Sequence, residues 1–180
     1  YSFSGSTWTQ STANSQWAAR YEHTSLVFDS KMWVIGGFTT AVVNNVWYSS
    51  DGITWTQSTA NSQWAARYRH TSLVFDSKMW VIGGQANTNA CPGGITVCND
   101  VWYSTTGITW TQSTANAQWA GRGDHTSLVF DSKMWVIGGN TGTFVNNVWY
   151  SSDGITWTQS TANAQWAVRQ LHASLVFDSK

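Results

Sequence analysis

Four histidines, His23, His70, His125 and His172, each follow an arginine by three residues: Arg20, Arg67, Arg122 and Arg169. Imidazoles arrayed about one axis have the chemistry to hold a metal or polarise a substrate. The competing reading is architectural: each His opens a strand and hydrogen-bonds the neighbouring unit, while Arg ties units together. Identical recurrence favours the second reading, because a catalytic site is normally asymmetric. We therefore expect no catalytic residue, no metal and no cofactor. Two cysteines, Cys91 and Cys98, share one short loop with Pro92, Gly93 and Gly94. A loop-closing disulfide is the preferred reading, with free thiols as the alternative, and it implies an oxidising compartment. A zinc site is disfavoured because no His lies near them in sequence.

The elements that must position these groups are repeats. The run Trp17 to Gly37 recurs at Trp64 and Trp119, and its first part recurs at Trp166, at spacings of 47, 55 and 47 residues. Eight extra residues in the cysteine loop account for the longer spacing. Each unit predicts four short strands. In the first, these are His23 to Phe28, Met32 to Ile35, Val46 to Tyr48 and Ile53 to Gln57, with turns at Asp29-Ser30-Lys31 and Ser49-Ser50-Asp51-Gly52. No 3.6-residue period is sustained, so helix is expected nowhere. A unit this small cannot cover both faces of its own sheet, and packing sheet on sheet around an axis resolves that.

These units resemble the kelch repeat. The glycine doublets Gly36-Gly37, Gly83-Gly84 and Gly138-Gly139 end the second strand. The aromatic pairs Tyr48/Trp55, Tyr103/Trp110 and Tyr150/Trp157 follow, with six residues between members. The resemblance implies an all-β propeller of four-stranded antiparallel blades, the strand at His23 innermost and the one containing Trp55 outermost. Residues 1–180 then form one propeller segment, with units 17–63, 64–118 and 119–165 and partial units 1–16 and 166–180. The chain starts inside a third strand at Tyr1 and stops after an innermost strand, which implies part of a larger ring or chains that complete one another. The doublets should allow positive φ or close backbone approach.

Composition narrows the function. Nine basic residues balance nine acidic ones and only 10% of residues are charged, which disfavours nucleic acid. No apolar run is long enough to span a bilayer. Tyr1-Ser2-Phe3-Ser4 has neither the charged start nor the apolar stretch of a signal peptide, as would also hold for a mature segment. A polar, charge-poor chain with 14 Trp points to an extracellular or cell-surface setting. The ladder Trp33, Trp47, Trp55 and their equivalents is expected to pack blade on blade. Trp17, Trp64, Trp119 and Trp166, in the connections, are the better candidates for exposure and sugar stacking.

Ser50-Asp51-Gly52-Ile53-Thr54-Trp55 resembles the Asp-box turn of sialidases with one residue missing, and that turn is structural. Galactose oxidase also resembles this fold, but its copper ligands have no counterpart in the adjacent cysteines here. Units 17–63 and 119–165 differ at eight of 47 positions. Those differences, with Arg69 and the cysteine loop of the middle unit, gather in the connections before the inner strand and after the glycine doublet. Both connections lie on one face of a meander. Loops on a rigid scaffold are where binding resides. The predicted contacts are Tyr21, Glu22, Phe38, Tyr68, Arg69, Asn87, Asn89, Asp124, Asn140 and Gln170, serving a protein or glycan ligand. The alternatives are a self-assembling or adhesive repeat protein and a segment of a larger propeller enzyme.

Overall fold

A computed structural model describes residues 6–177. Twelve strands form three antiparallel sheets of four. The first blade holds β1 (Thr24–Phe28), β2 (Lys31–Ile35), β3 (Val46–Ser49) and β4 (Thr56–Thr59). The second holds β5 (Thr71–Phe75), β6 (Lys78–Gln85), β7 (Val97–Ser104) and β8 (Thr111–Thr114). The third holds β9 (Thr126–Phe130), β10 (Lys133–Asn140), β11 (Phe144–Ser151) and β12 (Thr158–Thr161). Each blade is a meander in sequence order, and β1, β5 and β9 lie side by side as the innermost strands.

Local chemistry explains the strand limits. Asp29 and Ser30 both have positive φ (50° and 55°), the signature of the tight turn whose twist matches paired strands. The register that follows sets Leu26 opposite Trp33 and Phe28 opposite Lys31. The Trp33 indole N–H donates to the Phe28 carbonyl at 2.9 Å, as Trp80 does to Phe75 and Trp135 to Phe130.

The outer strand corrects the sequence reading: it starts at Thr56, not Ile53. The Asp51 carboxylate accepts hydrogen bonds from the backbone N–H of Ile53 and Thr54, both at 2.8 Å, which prolongs the turn. Trp55 then donates its N–H to the Gln16 side chain at 2.7 Å instead of to a strand. Strands β6 and β10 run on through their glycine doublets to Gln85 and Asn140, with a bulge at the doublet.

Blades pack through two apolar layers. Trp33, Ile35 and Val46 of the first blade meet Trp64, Met79, Val81 and Trp110. Between the second and third blades, Trp80, Ile82 and Val101 meet Trp119, Met134, Val136 and Trp157. The predicted exposure of Trp64 and Trp119 is therefore wrong: each is 1% exposed. Connections are clamped between blades, where Trp64 meets Trp110 edge-on at 5.9 Å and Trp119 meets Trp157 at 5.8 Å. Trp166 is exposed and Trp17 half-buried.

The predicted last inner strand is also corrected. Residues 172–177 carry no strand pairing, although His172 bonds Thr126 of β9 and Val176 lies beside Val129. No hairpin partner for them exists among the described residues, and an inner strand is held by that partner. The third strand expected at Tyr1 lies outside the described residues. Among the described residues no helix is long and apolar enough to cross a membrane.

Candidate functional site

The two variable connections are hydrogen-bonded to each other. Tyr21 and Phe38 exchange backbone bonds at 3.0 Å, and Tyr68 and Gln85 do so at 3.0 and 2.8 Å. Gly123 and Asn140 do the same at 3.0 and 2.9 Å. Each pair joins the approach to an inner strand to the residue after a glycine doublet. The segments that differ between repeats therefore share one face.

At its centre the backbone forms a relay. Arg69 N–H donates to Glu22 O (3.2 Å), Asp124 N–H to Arg69 O (3.1 Å) and Leu171 N–H to Asp124 O (2.9 Å). All four residues have positive φ between 52° and 58°, which turns their side chains toward the axis mouth. There Arg69 bridges two acids, with Nε 3.1 Å from Glu22 Oε1 and a terminal nitrogen 3.6 Å from Asp124 Oδ2. Asp124 is buried, which pushes its carboxyl above the usual range. Arg69 opposes that rise and Glu22 adds to it. The mouth encloses about 270 Å³ above the four histidines.

Beside it lies an aromatic patch. Tyr21 stacks on Phe38 (centroids 5.1 Å, 28°), Phe38 meets Tyr68 edge-on at 5.9 Å, and the Arg69 guanidinium sits 5.3 Å over Tyr68. Tyr21 remains 56% exposed. The structure thus brings Tyr21, Glu22, Phe38, Tyr68, Arg69 and Asp124 into one surface. Asn140 lines a recess with Arg69 and Asp124 and pairs with Gln170 at 3.1 Å, while Asn87 and Asn89 are exposed on the cysteine loop. That loop is closed by a Cys91–Cys98 disulfide, both residues buried.

Three of the four histidines are engaged between blades. His70, His125 and His172 bond the side chains of Thr24, Thr71 and Thr126 of the preceding blade at 3.1, 2.9 and 3.2 Å. Burial, with the nearby Arg67 charge second, pushes His70 down to about 3. Burial and then Arg122 push His125 well below its ordinary value. Both are neutral at physiological pH. Among the described residues no group of three or more His, Cys, Asp or Glu is placed to hold a metal.

The arginines link blades in two ways. Arg67 backbone O accepts from Gly37 N–H of the first blade at 2.9 Å, while its guanidinium donates to Gly83 O of the second at 2.9 Å. The glycine doublet makes this approach feasible. Gly36 has φ +59° and a Cβ there would crowd Arg67 O at 3.1 Å, while one at Gly37, with φ +99°, would lie 2.7 Å from that of His23.

Sequence reasoning missed Asp100. It stands where the other units have Asn45 and Asn147, and its carboxylate takes Arg67 in a two-pronged pair at 2.7 and 2.9 Å. Its second oxygen also accepts the Trp102 indole N–H at 2.7 Å. The signal was an Asn-to-Asp change in the middle unit, visible only when that unit is aligned with the other two. Gln16, Gln63 and Gln118 were also overlooked: each accepts a backbone N–H from the outer edge of the next blade.

Comparison with known proteins bears on the fold. The family model described as "KLHDC2/KLHL20/DRC7 Kelch-repeats domain" matches residues 1–180. No curated protein matches the chain. A solved structure titled "Structure of YjhT" superposes with a TM-score of 0.70 at 15% identity, over 84% of this chain and 54% of that one. The chain therefore spans about half the length of that propeller, and the likeness concerns the fold alone.

Proposed function

The chain belongs to the kelch-repeat family, and from that premise we propose that it is a non-catalytic recognition module, secreted or surface-exposed, binding a protein or glycan through its variable face. Kelch domains commonly serve as binding modules, and residues 1–180 act here as one propeller segment in that role. The observation that carries the reading is an asymmetric surface on a symmetric scaffold. Tyr21, Phe38, Tyr68 and Arg69 make one contiguous aromatic and cationic patch. The third unit has Gly123 and Asn140 where the first has Tyr21 and Phe38. Tyr and Arg supply large amphipathic contact area, and both are enriched at binding hot spots. The opposite face carries the same Asp-Ser-Lys turn in every blade, with Lys31, Lys78 and Lys133 paired to Asp29, Asp76 and Asp131. The disulfide supports the extracellular setting.

The test uses protein and glycan arrays probed with two variants. Tyr21→Gly/Tyr68→Gly/Arg69→Gly erases the patch with residues the positive φ at Arg69 and the third unit both tolerate. Lys31→Glu/Lys78→Glu/Lys133→Glu inverts charge on the other face. Ligands of the parent protein should be lost by the first variant and kept by the second. The reverse pattern, with both folded, defeats the proposal.

A further inference from the structure

The same scaffold position is filled at one blade junction and open at the next. Between the first and second blades, the rings of Phe38 and Tyr68 meet at 5.9 Å and occupy the notch on the variable face. One repeat later, the equivalents of those two residues are Gln85 and Gly123. What remains there is a cavity of about 250 Å³. Its walls are Arg69, Gln85, Val97, Gly123, Asp124 and Asn140.

The opening is built from coupled changes. Strand β7 starts at Val97, as β11 starts at the equivalent Phe144, whereas β3 starts only at Val46. The Val97 carbonyl then presses against residue 121, where a Cβ would collide with it, and Gly121 replaces the alanine found at Ala19 and Ala66. Next to it, Gly123 lets the Arg69 stem lie across the backbone: a Cβ at 123 would stand 3.2 Å from that of Arg69. Arg69 thereby reaches Asp124 while remaining paired to Glu22. The longer β7, Arg69, Gly121 and Gly123 together make one notch.

The lining defines the ligand chemistry. Arg69 is neutralised by Glu22 and Asp124, so no unpaired positive charge awaits an anion. The Gln85 amide N–H groups donate and the Asp124 carboxylate accepts, while Asn140, held by Gly142 N–H at 2.9 Å and by Gln170 at 3.1 Å, keeps one amide hydrogen for a ligand. Val97 gives an apolar side wall. The volume falls just below the roughly 300–1,000 Å³ of sites that enclose drug-sized ligands, so it suits a single ring. Immediately beside it, Tyr68 under the Arg69 guanidinium provides a stacking platform for a neighbouring group.

We propose that the notch between the second and third blades is a subsite for one neutral sugar residue of a glycan whose next residue lies against Tyr68. This rests on the recognition reading above and commits it to a polyhydroxylated, uncharged ligand. Hydroxyls match a lining of mixed donors and acceptors, and the C–H face of a sugar matches Val97.

The experiment is an array of neutral gluco-, galacto-, manno- and fuco-configured oligosaccharides, with sialylated and sulfated ones as charged comparators, followed by titration calorimetry. Two variants of the whole chain accompany it. Gln85→Phe/Gly123→Tyr restores the Phe38/Tyr68 pair and fills the notch. Gln85→Ala/Asn140→Ala strips its amides without adding bulk. The expected result is a neutral ligand bound by the parent and weakened roughly tenfold or more by both variants, with melting temperatures retained. Absence of any neutral saccharide binding at millimolar concentration overturns the inference. So does retained affinity in both variants, and so does a ligand that must be charged. If affinity survives notch filling but is lost in Tyr21→Gly/Tyr68→Gly/Arg69→Gly, the notch falls and the variable face stands. If affinity is lost only in the opposite-face variant, both readings fall.

Discussion

Removing the Asp100 carboxylate tests how the second blade is held. Arg67 is 0% exposed at its side chain and Asp100 2%, so neither ion reaches water. Two prongs at 2.7 and 2.9 Å and a Trp102 N–H at 2.7 Å satisfy the carboxylate. Asp100→Ala strands the guanidinium, and an uncompensated buried charge costs about 3–5 kcal/mol. For a domain of this size that lowers Tm by about 6–20 °C. Asp100→Asn keeps one acceptor, as Asn45 and Asn147 do for Arg20 and Arg122 at 2.8 Å. It should cost less, about 1.5–3 kcal/mol for the lost charge-assisted bond. The converse change, Asn147→Asp, should stabilise the third blade. It gives a counter-ion to Arg122, which burial pushes down to about 10, and an acceptor to the unpaired Trp149 indole. Urea unfolding followed by Trp fluorescence reads all three. Equal losses for Asp100→Ala and Asp100→Asn would refute the reasoning, since the charge would then contribute nothing.

Stability should rise with pH across the acid range. His70 binds its proton more weakly folded, near 3, than unfolded, near 6.5, so the unfolded chain takes up more protons between those values. Its share of stability is complete above 6.5 and declines as pH falls toward 3, reaching a loss of about 2–3 kcal/mol near pH 4.5, with His125 adding in the same direction. A Tm constant from pH 4.5 to 7 would contradict this. Gly84→Ala should cost at least about 3 kcal/mol. Its φ is +103°, and the new Cβ would sit 2.6 Å from that of His70; an unchanged melt would remove the argument. Reducing Cys91–Cys98 closes no large loop entropy, so the loss should be about 2 kcal/mol and confined to residues 86–97 by hydrogen exchange. Global unfolding on reduction would refute that.

The blade architecture was legible because the repeat states it several times. Alternating apolar runs, Asp-Ser turns and glycine doublets recur in register, and the sheets follow. What escaped the sequence depends on contacts between units. Trp64 and Trp119 look exposed in a connection, yet connections are clamped between blades. The outer strand looked longer because the side-chain bonds of Asp51 that prolong the turn have no hydrophobic signature. The shared face of the variable connections was readable from meander geometry. The Arg69 bridge and the notch beside Gly123 were not, since they join residues of adjacent units about 50 positions apart. Asp100 was readable but needed the middle unit compared with the outer two.

Hydrogen exchange on the protein saturated with an array-identified ligand tests the recognition surface most directly. The account predicts added protection in segments 18–22, 38–43, 65–69, 85–98, 120–124, 140–145 and 167–171, strongest around Tyr68, Arg69 and Gly123. The turns at 29–31, 76–78 and 131–133 should exchange as in the free protein. Protection centred on those three turns, with the Arg69 region unchanged, would contradict it.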